Sequence, residues 1–133
     1  MKHPRQKQNQ LSLDYVKQAL DSLELALAQP KNEFIRDAVI QRFEYSFELS
    51  WKTLKRFLKL YYAYQEGHLK DLFRLAAKYK LITHTQNWFT YLEARNLCSH
   101  TYSETQAENT YKIAQDFLKE AKELIQTIES NLE

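Results

Sequence analysis

The sequence predicts an all-α protein. One Gly and two Pro leave almost no turn chemistry for a many-stranded sheet. Ala, Leu, Lys, Glu and Gln, all good helix formers, dominate the long segments, and apolar residues return every three or four positions along them. Four long helices with one short insert, joined by brief loops, are expected to pack as an up-and-down four-helix bundle with one short additional helix. At 133 residues the chain can bury one core without staples. Residues 1–10, polar, basic and without periodicity, read as a flexible tail, and residues 11–133 as a single bundle domain.

Each element has its own signal. Ser12 is the expected N-cap of the first helix, which carries Leu13, Val16, Leu20, Leu23 and Leu27 on one face and stops before Pro30. Asn32 caps the second, whose apolar positions Ile35, Val39, Phe43, Phe47, Trp51, Leu54, Leu58 and Tyr61 meet no breaker until Gly67. Such a helix runs about 45 Å at 1.5 Å per residue. Its aromatic residues (Phe43, Tyr45, Phe47, Trp51, Phe57, Tyr61, Tyr62, Tyr64) exceed what one narrow stripe buries, so a second apolar surface, serving a dimer or a partner, is expected. A short third helix spans roughly Leu69 to Tyr79. Thr83 with Gln86 reads as a capping box for the fourth, which carries Trp88, Phe89, Tyr91, Leu92 and Arg95 towards His100. Ser103 with Gln106 is a second box, starting a fifth helix that ends near Ser130.

Composition excludes several functions. The single Cys98 has no internal disulfide partner, and His3, His68, His84 and His100 show no ligand spacing, so neither a metal nor another cofactor is expected. There is no glycine-rich phosphate loop, and no apolar run approaches the ~20 residues that span a bilayer. Together with the polar start of the chain this predicts a soluble, cytoplasmic protein without membrane attachment. The net charge of +2 is unevenly spread, with +6 over residues 52–80. There Lys52, Lys55, Arg56 and Lys59 share one helix face, either a solvated surface or a site for phosphate or an acidic partner.

The chemistry gathers in Arg95-Asn96-Leu97-Cys98-Ser99-His100-Thr101-Tyr102. A fixed cationic fork, an amide, an imidazole that titrates near neutrality and a phenol lie within one short stretch. On one continuous helix Arg95 and His100 would point about 140° apart. The capping residues Thr101 and Ser103 instead end the helix near His100, and a bend there brings the two around one anion. His100 then moves a proton, Arg95 holds phosphate or developing negative charge, and Asn96 orients either group. RNA suits such a site because its 2′-hydroxyl is a built-in nucleophile. One His per chain serves one proton role at a time, so a two-fold dimer would complete the chemistry. A cap and a surface pair is the plainer reading of the same residues. Cys98 reads as a small buried filler, and Glu44 and Glu48, four apart, as a polar edge or as acceptors that fix Arg95 or His100. Asp37 and Arg42 raise the same question.

Two segments, Arg36-Asp37-Ala38-Val39-Ile40-Gln41-Arg42-Phe43-Glu44-Tyr45-Ser46-Phe47-Glu48-Leu49-Ser50-Trp51-Lys52 and, after Trp88, Glu93-Ala94 leading into Arg95 to Tyr102, resemble the nucleotidyltransferase substrate-binding protein family. The resemblance covers nearly the whole chain after the tail. It implies a small helical bundle similar to the C-terminal domain of kanamycin nucleotidyltransferase, paired with a separately encoded minimal nucleotidyltransferase, and membership of the HEPN superfamily. That superfamily carries an Arg-x4-to-6-His motif, matched by Arg95 and His100, and many members are metal-independent ribonucleases. In its toxin branch the pattern extends to Arg-x4-His-x-Tyr, and the partner silences the toxin by attaching AMP to the tyrosine, here Tyr102. The candidate site is thus catalytic Arg95 and His100 with Asn96 for orientation, the resemblance adds modification at Tyr102, and a homodimer, alone or within a heterotetramer with the partner, is the expected assembly. The alternative is a non-catalytic substrate-binding subunit that grips a nucleotide or substrate anion with the same residues. The short third helix departs from the family pattern: His68-Leu69-Lys70 and Lys80-Leu81 stand where a Pro-Arg element and a glycine are expected.

Overall fold

The computed structural model describes residues 11–98 and 103–132. Its helices are α1 (Asp14–Leu27), α2 (Glu33–Tyr62), α3 (Leu69–Lys78), α4 (Thr85–Cys98) and α5 (Glu104–Ser130), with no strand among the described residues. Long-range contacts set their directions. Ser46 Oγ donates to the Ala19 carbonyl at 3.1 Å and Arg42 Nη1 to that of Ser22 at 2.7 Å, so α1 and α2 run antiparallel. Lys17 with Glu129 and Lys122 with Glu24 set α5 antiparallel to α1. Asn87 with Glu120, and Cys98 with Thr110, set α4 antiparallel to α5. The order is therefore up, down, up, down for α1, α2, α4 and α5, with α3 packed against α2 and α4.

The two longest helices, α2 and α5, run side by side through the centre. Phe43 and Phe47 of α2, Phe73 of α3, Trp88 of α4 and Phe117 of α5 are all shielded from solvent and meet ring to ring. Phe117 stands edge-on to Phe43 at 5.2 Å and to Tyr91 at 5.4 Å, an arrangement that the ring quadrupoles favour.

Two expected caps form: Asn32 Oδ1 accepts from Ile35 N at 2.8 Å, and Ser103 Oγ accepts from Gln106 N at 3.3 Å. Other ends differ from the sequence reading. Leu11 and Leu13 are both drawn into the core, so Leu13 takes the N-cap position of α1, and Ser12 Oγ accepts from Asp14 N at 3.3 Å instead. α4 begins at Thr85, with the His84 carbonyl accepting from Asn87 N at 3.0 Å, one residue later than a Thr83 N-cap implies.

α2 stops at Tyr62 rather than near Gly67. Ala63 turns left-handed (φ 52°) and Tyr64 N donates back to the Leu58 carbonyl at 3.1 Å. Glu66 then binds Lys55 at 2.6 Å and Lys59 at 2.5 Å, folding the segment back along the helix, and the two ammonium groups hold its carboxyl down at about 2. α3 ends the same way: Lys80 adopts φ 62°, and Leu81 N donates to the Ala76 carbonyl at 2.9 Å.

The aromatic surplus of α2 is largely absorbed inside the chain. Phe43, Phe47 and Phe57 are buried, Trp51, Tyr61 and Tyr64 half-buried. Tyr45 shares a hydrogen bond with Ser22 at 2.6 Å, and Tyr62 stacks on Tyr79 at 4.0 Å. Among the described residues the large apolar side chains most open to solvent are Phe34 (82%), Tyr15 (73%), Leu25 (60%) and Leu97 (48%), while Tyr45 and Tyr62 of the spine's aromatic run stay partly exposed.

Candidate functional site

Arg95 falls in the last turn of α4, where a cation suits the helix dipole. Its Nη2 forms an ion pair with Glu48 Oε1 on α2, and its Nη1 donates to Asn96 Oδ1 at 3.2 Å. Glu48 in turn lies 3.7 Å from Lys52 Nζ, one turn further along. The guanidinium is thus fixed from two sides by groups from two helices, while 38% of the side chain stays open to solvent. A fork fixed in this way, with one side free, can receive an anionic oxygen without reorganising. Lys52 Nζ lies 5.8 Å from the centre of the Trp51 ring, whose indole Nε1 is buried with no acceptor among the described residues.

Glu44, one turn before Glu48, faces Cys98 instead of Arg95. Burial above all, and then the charge of Glu44, push the Cys98 thiol up to about 11, although Thr110 and Arg95 pull the other way. Cys98 is therefore a neutral thiol at physiological pH, poorly suited to nucleophilic attack.

Glu44 and Cys98 also line a cleft of about 310 Å³ between the first half of α2 and the start of α5, with Glu33, Arg36, Asp37, Glu104 and Thr110 on its walls. Cys98 and Ser103 both belong to this lining. The residues that join them include His100 and Tyr102, which lie outside the described residues.

Arg36 organises the acidic side of the cleft and had no place in the sequence-derived site. It is 6% exposed; Nη1 donates to Glu104 at 2.5 Å and to Glu108 at 3.4 Å, while Nε and Nη2 donate to Asp37 at 3.2 Å. Glu104, ahead of Asp37, holds the guanidinium even more basic than usual. Lys31, ahead of Arg36, keeps the Glu108 carboxyl low. The local trace of this hub was the acidic pair Glu104 and Glu108, one turn apart at the start of α5, which does not by itself point to Arg36. Asp37 is thus committed to Arg36, and Arg42 to the Ser22 carbonyl, so neither serves Arg95. Among the described residues no three His, Cys, Asp or Glu are placed to hold a metal ion, and no helix is long and apolar enough to cross a membrane.

Residues 11–130 match the sequence model of the family described as nucleotidyltransferase substrate binding protein like. The chain belongs to this family. Relatives of the nucleotidyltransferase substrate-binding family place the bundle in context. The probable ribonuclease HepT of Haemophilus influenzae is 31% identical over 136 residues, covering 90% of this chain and 93% of the relative. A crystal structure from Thermus thermophilus superposes with a TM-score of 0.79 at 29% identity, over 85% of this chain and 98% of that one. A Haemophilus influenzae protein whose structure revealed the fold of a substrate binding domain of a nucleotidyltransferase gives 0.80 at 29% identity, over 89% and 99%. A tri-AMPylated HEPN toxin from Shewanella oneidensis, solved in complex with MNT antitoxin, shares the fold with a TM-score of 0.72 at 18% identity, over 98% and 100%.

Proposed function

We propose that this chain is the helical subunit of a two-component nucleotidyltransferase pair and acts as a metal-independent ribonuclease of the HEPN type. The observation that carries the reading is Arg95, fixed by Glu48 and Asn96 yet open on one side, within an intact Arg-Asn-x3-His-x-Tyr sequence. The relatedness to the probable ribonuclease HepT supports it. In this reading His100 accepts the proton of an RNA 2′-hydroxyl as it attacks the adjacent phosphorus, and Arg95 stabilises the charge that builds on the phosphoryl oxygens. The departing 5′-oxygen takes a proton from a second acid, which a two-fold homodimer supplies as the His100 of the other copy. The nucleotidyltransferase partner silences the site by attaching AMP to Tyr102, two residues from His100. The added phosphate competes for the Arg95 fork and its bulk excludes RNA.

A second reading, a non-catalytic substrate-binding subunit that grips a nucleotide or substrate anion, is favoured by one feature: a cleft of about 310 Å³, lined by Glu33, Arg36, Glu44 and Cys98, adjoins the site and has room for a small ligand. The test is RNA cleavage in EDTA by the unmodified chain, its mass verified, beside Arg95→Ala and His100→Ala. Cleavage by wild type lost in both variants is expected. Intact RNA with all three proteins would overturn the ribonuclease and leave the binding subunit. Incubation of the active chain with its partner and ATP is expected to add AMP mass at Tyr102 and stop cleavage, with Tyr102→Phe resisting both.

A further inference from the structure

The exposed face of α3 carries Lys70, Arg74 and Lys78, each one turn from the next, about 6 Å apart along the axis. Every one of them lies over an aromatic ring. Lys70 Nζ is 5.4 Å and Arg74 Cζ 5.2 Å from the centre of the Phe89 ring on α4, and Lys78 Nζ is 5.8 Å from that of Tyr79. A ring face positions a cation without cancelling its charge, as a carboxylate would. Arg74 also binds Asp71 at 2.8 Å, whereas Lys70 and Lys78 meet no carboxylate among the described residues. The basic stripe of α2 is different, because Lys55 and Lys59 are already held by Glu66. His68, Leu69, Lys70, Asp71, Arg74 and Leu92 line a groove of about 440 Å³ between α3 and α4, its one carboxylate, Asp71, being the partner of Arg74. Leu92 continues through Arg95 and Asn96 at spacings of three and four, so the groove opens onto the helix face that carries the candidate site.

We propose that this strip of α3, with the groove at Leu92, is a docking track for single-stranded RNA that leads the strand to Arg95. The inference rests on the ribonuclease reading for its substrate and adds the surface that holds it. Three cations at near-regular spacing take consecutive backbone phosphates, and the half-buried Leu92 in the groove offers apolar area for a base. A track of this kind binds with little sequence preference and strong salt dependence, because its affinity comes from counterion release.

The test measures binding of a fluorescent single-stranded RNA to the full-length chain across a salt series, with cleavage kinetics in parallel. Lys70→Gln/Arg74→Gln/Lys78→Gln is compared with a charge-matched Lys17→Gln/Lys119→Gln/Lys122→Gln variant on α1 and α5, both checked for native helicity and for mass by light scattering. The α3 variant is expected to bind on the order of tenfold more weakly, with the slope of log affinity against log salt reduced by about two, and to raise KM while leaving kcat near wild type. The matched variant is expected to stay within about twofold of wild type. Equal weakening in both variants, or unchanged affinity in the α3 variant, would overturn the track while leaving the nuclease standing. A dimer lost in the α3 variant with RNA affinity intact would likewise overturn it, in favour of a subunit contact. RNA bound through α3 but never cut would support the track and remove the nuclease reading. Wild type that neither binds nor cuts would remove both.

Discussion

The thiol of Cys98 sits at the end of α4 beside Thr110, and burial together with the charge of Glu44 raises it to about 11. An unperturbed cysteine titrates near 8.5, so at pH 8 the folded chain holds a far smaller thiolate fraction than the unfolded one. Iodoacetamide labelling followed by mass spectrometry at pH 8 is expected to run on the order of tenfold or more slower in native protein than in urea, and to keep quickening with pH beyond about 10, where the unfolded rate has levelled off. Comparable rates in the two states would contradict this environment. The same scale shows what could be read ahead of the structure. Glu44 and Glu48, four apart on one helix face, were visible as a polar edge or as acceptors for Arg95 or His100. Which of them turns to Arg95 depends on how α2 and α4 are rotated against each other, a tertiary property. Arg36 was hidden for a stronger reason: its partners Glu104 and Glu108 lie 68 and 72 residues away, and no local pattern marks an arginine as buried.

At the scale of elements, helix starts were legible where a side-chain oxygen does the capping, as at Asn32 and Ser103. Helix ends were not, because both α2 and α3 terminate on left-handed residues that are not glycine, Ala63 and Lys80. Gly67 is the obvious stop in the sequence, yet the chain turns earlier because Glu66 is held back on Lys55 and Lys59. A left-handed conformation costs an L-residue roughly 1–2 kcal/mol, and glycine escapes most of that. Ala63 is exposed, so its methyl contributes little packing. Ala63→Gly is therefore expected to stabilise the protein by about 0.5–1 kcal/mol, read as a higher urea midpoint with an unchanged slope. The gain is smaller than the strain because glycine also has more freedom to lose on folding. A variant that is destabilised instead would mean that the turn is not strained as described.

For the whole molecule, the up-down order follows from short connections between amphipathic helices, whereas the pairing of α2 with α5 through the centre follows from ring packing. Phe117 is where these meet: fully buried, it contacts Phe43 and Phe47 of α2 and Trp88 and Tyr91 of α4, with centroids 5.2, 6.0, 5.9 and 5.4 Å away. Truncation at this point leaves a void lined by aromatic faces that cannot collapse without moving two helices. Phe117→Ala is expected to cost about 3–5 kcal/mol, and Phe117→Leu, which keeps most of the volume, about 1–2 kcal/mol. Urea unfolding followed by circular dichroism and by tryptophan fluorescence in a Trp51→Phe background separates two outcomes, since Trp88, in the ring cluster, is then the one tryptophan left. Coincident transitions at a lower midpoint would show that the cluster couples all helices into one cooperative unit. An early fluorescence transition ahead of helix loss would show that α4 can detach while α1, α2 and α5 persist. In that case Arg95 would part from Glu48 before the bundle unfolds, and the candidate site would lose its counter-ion at denaturant levels that leave most of the helix content in place.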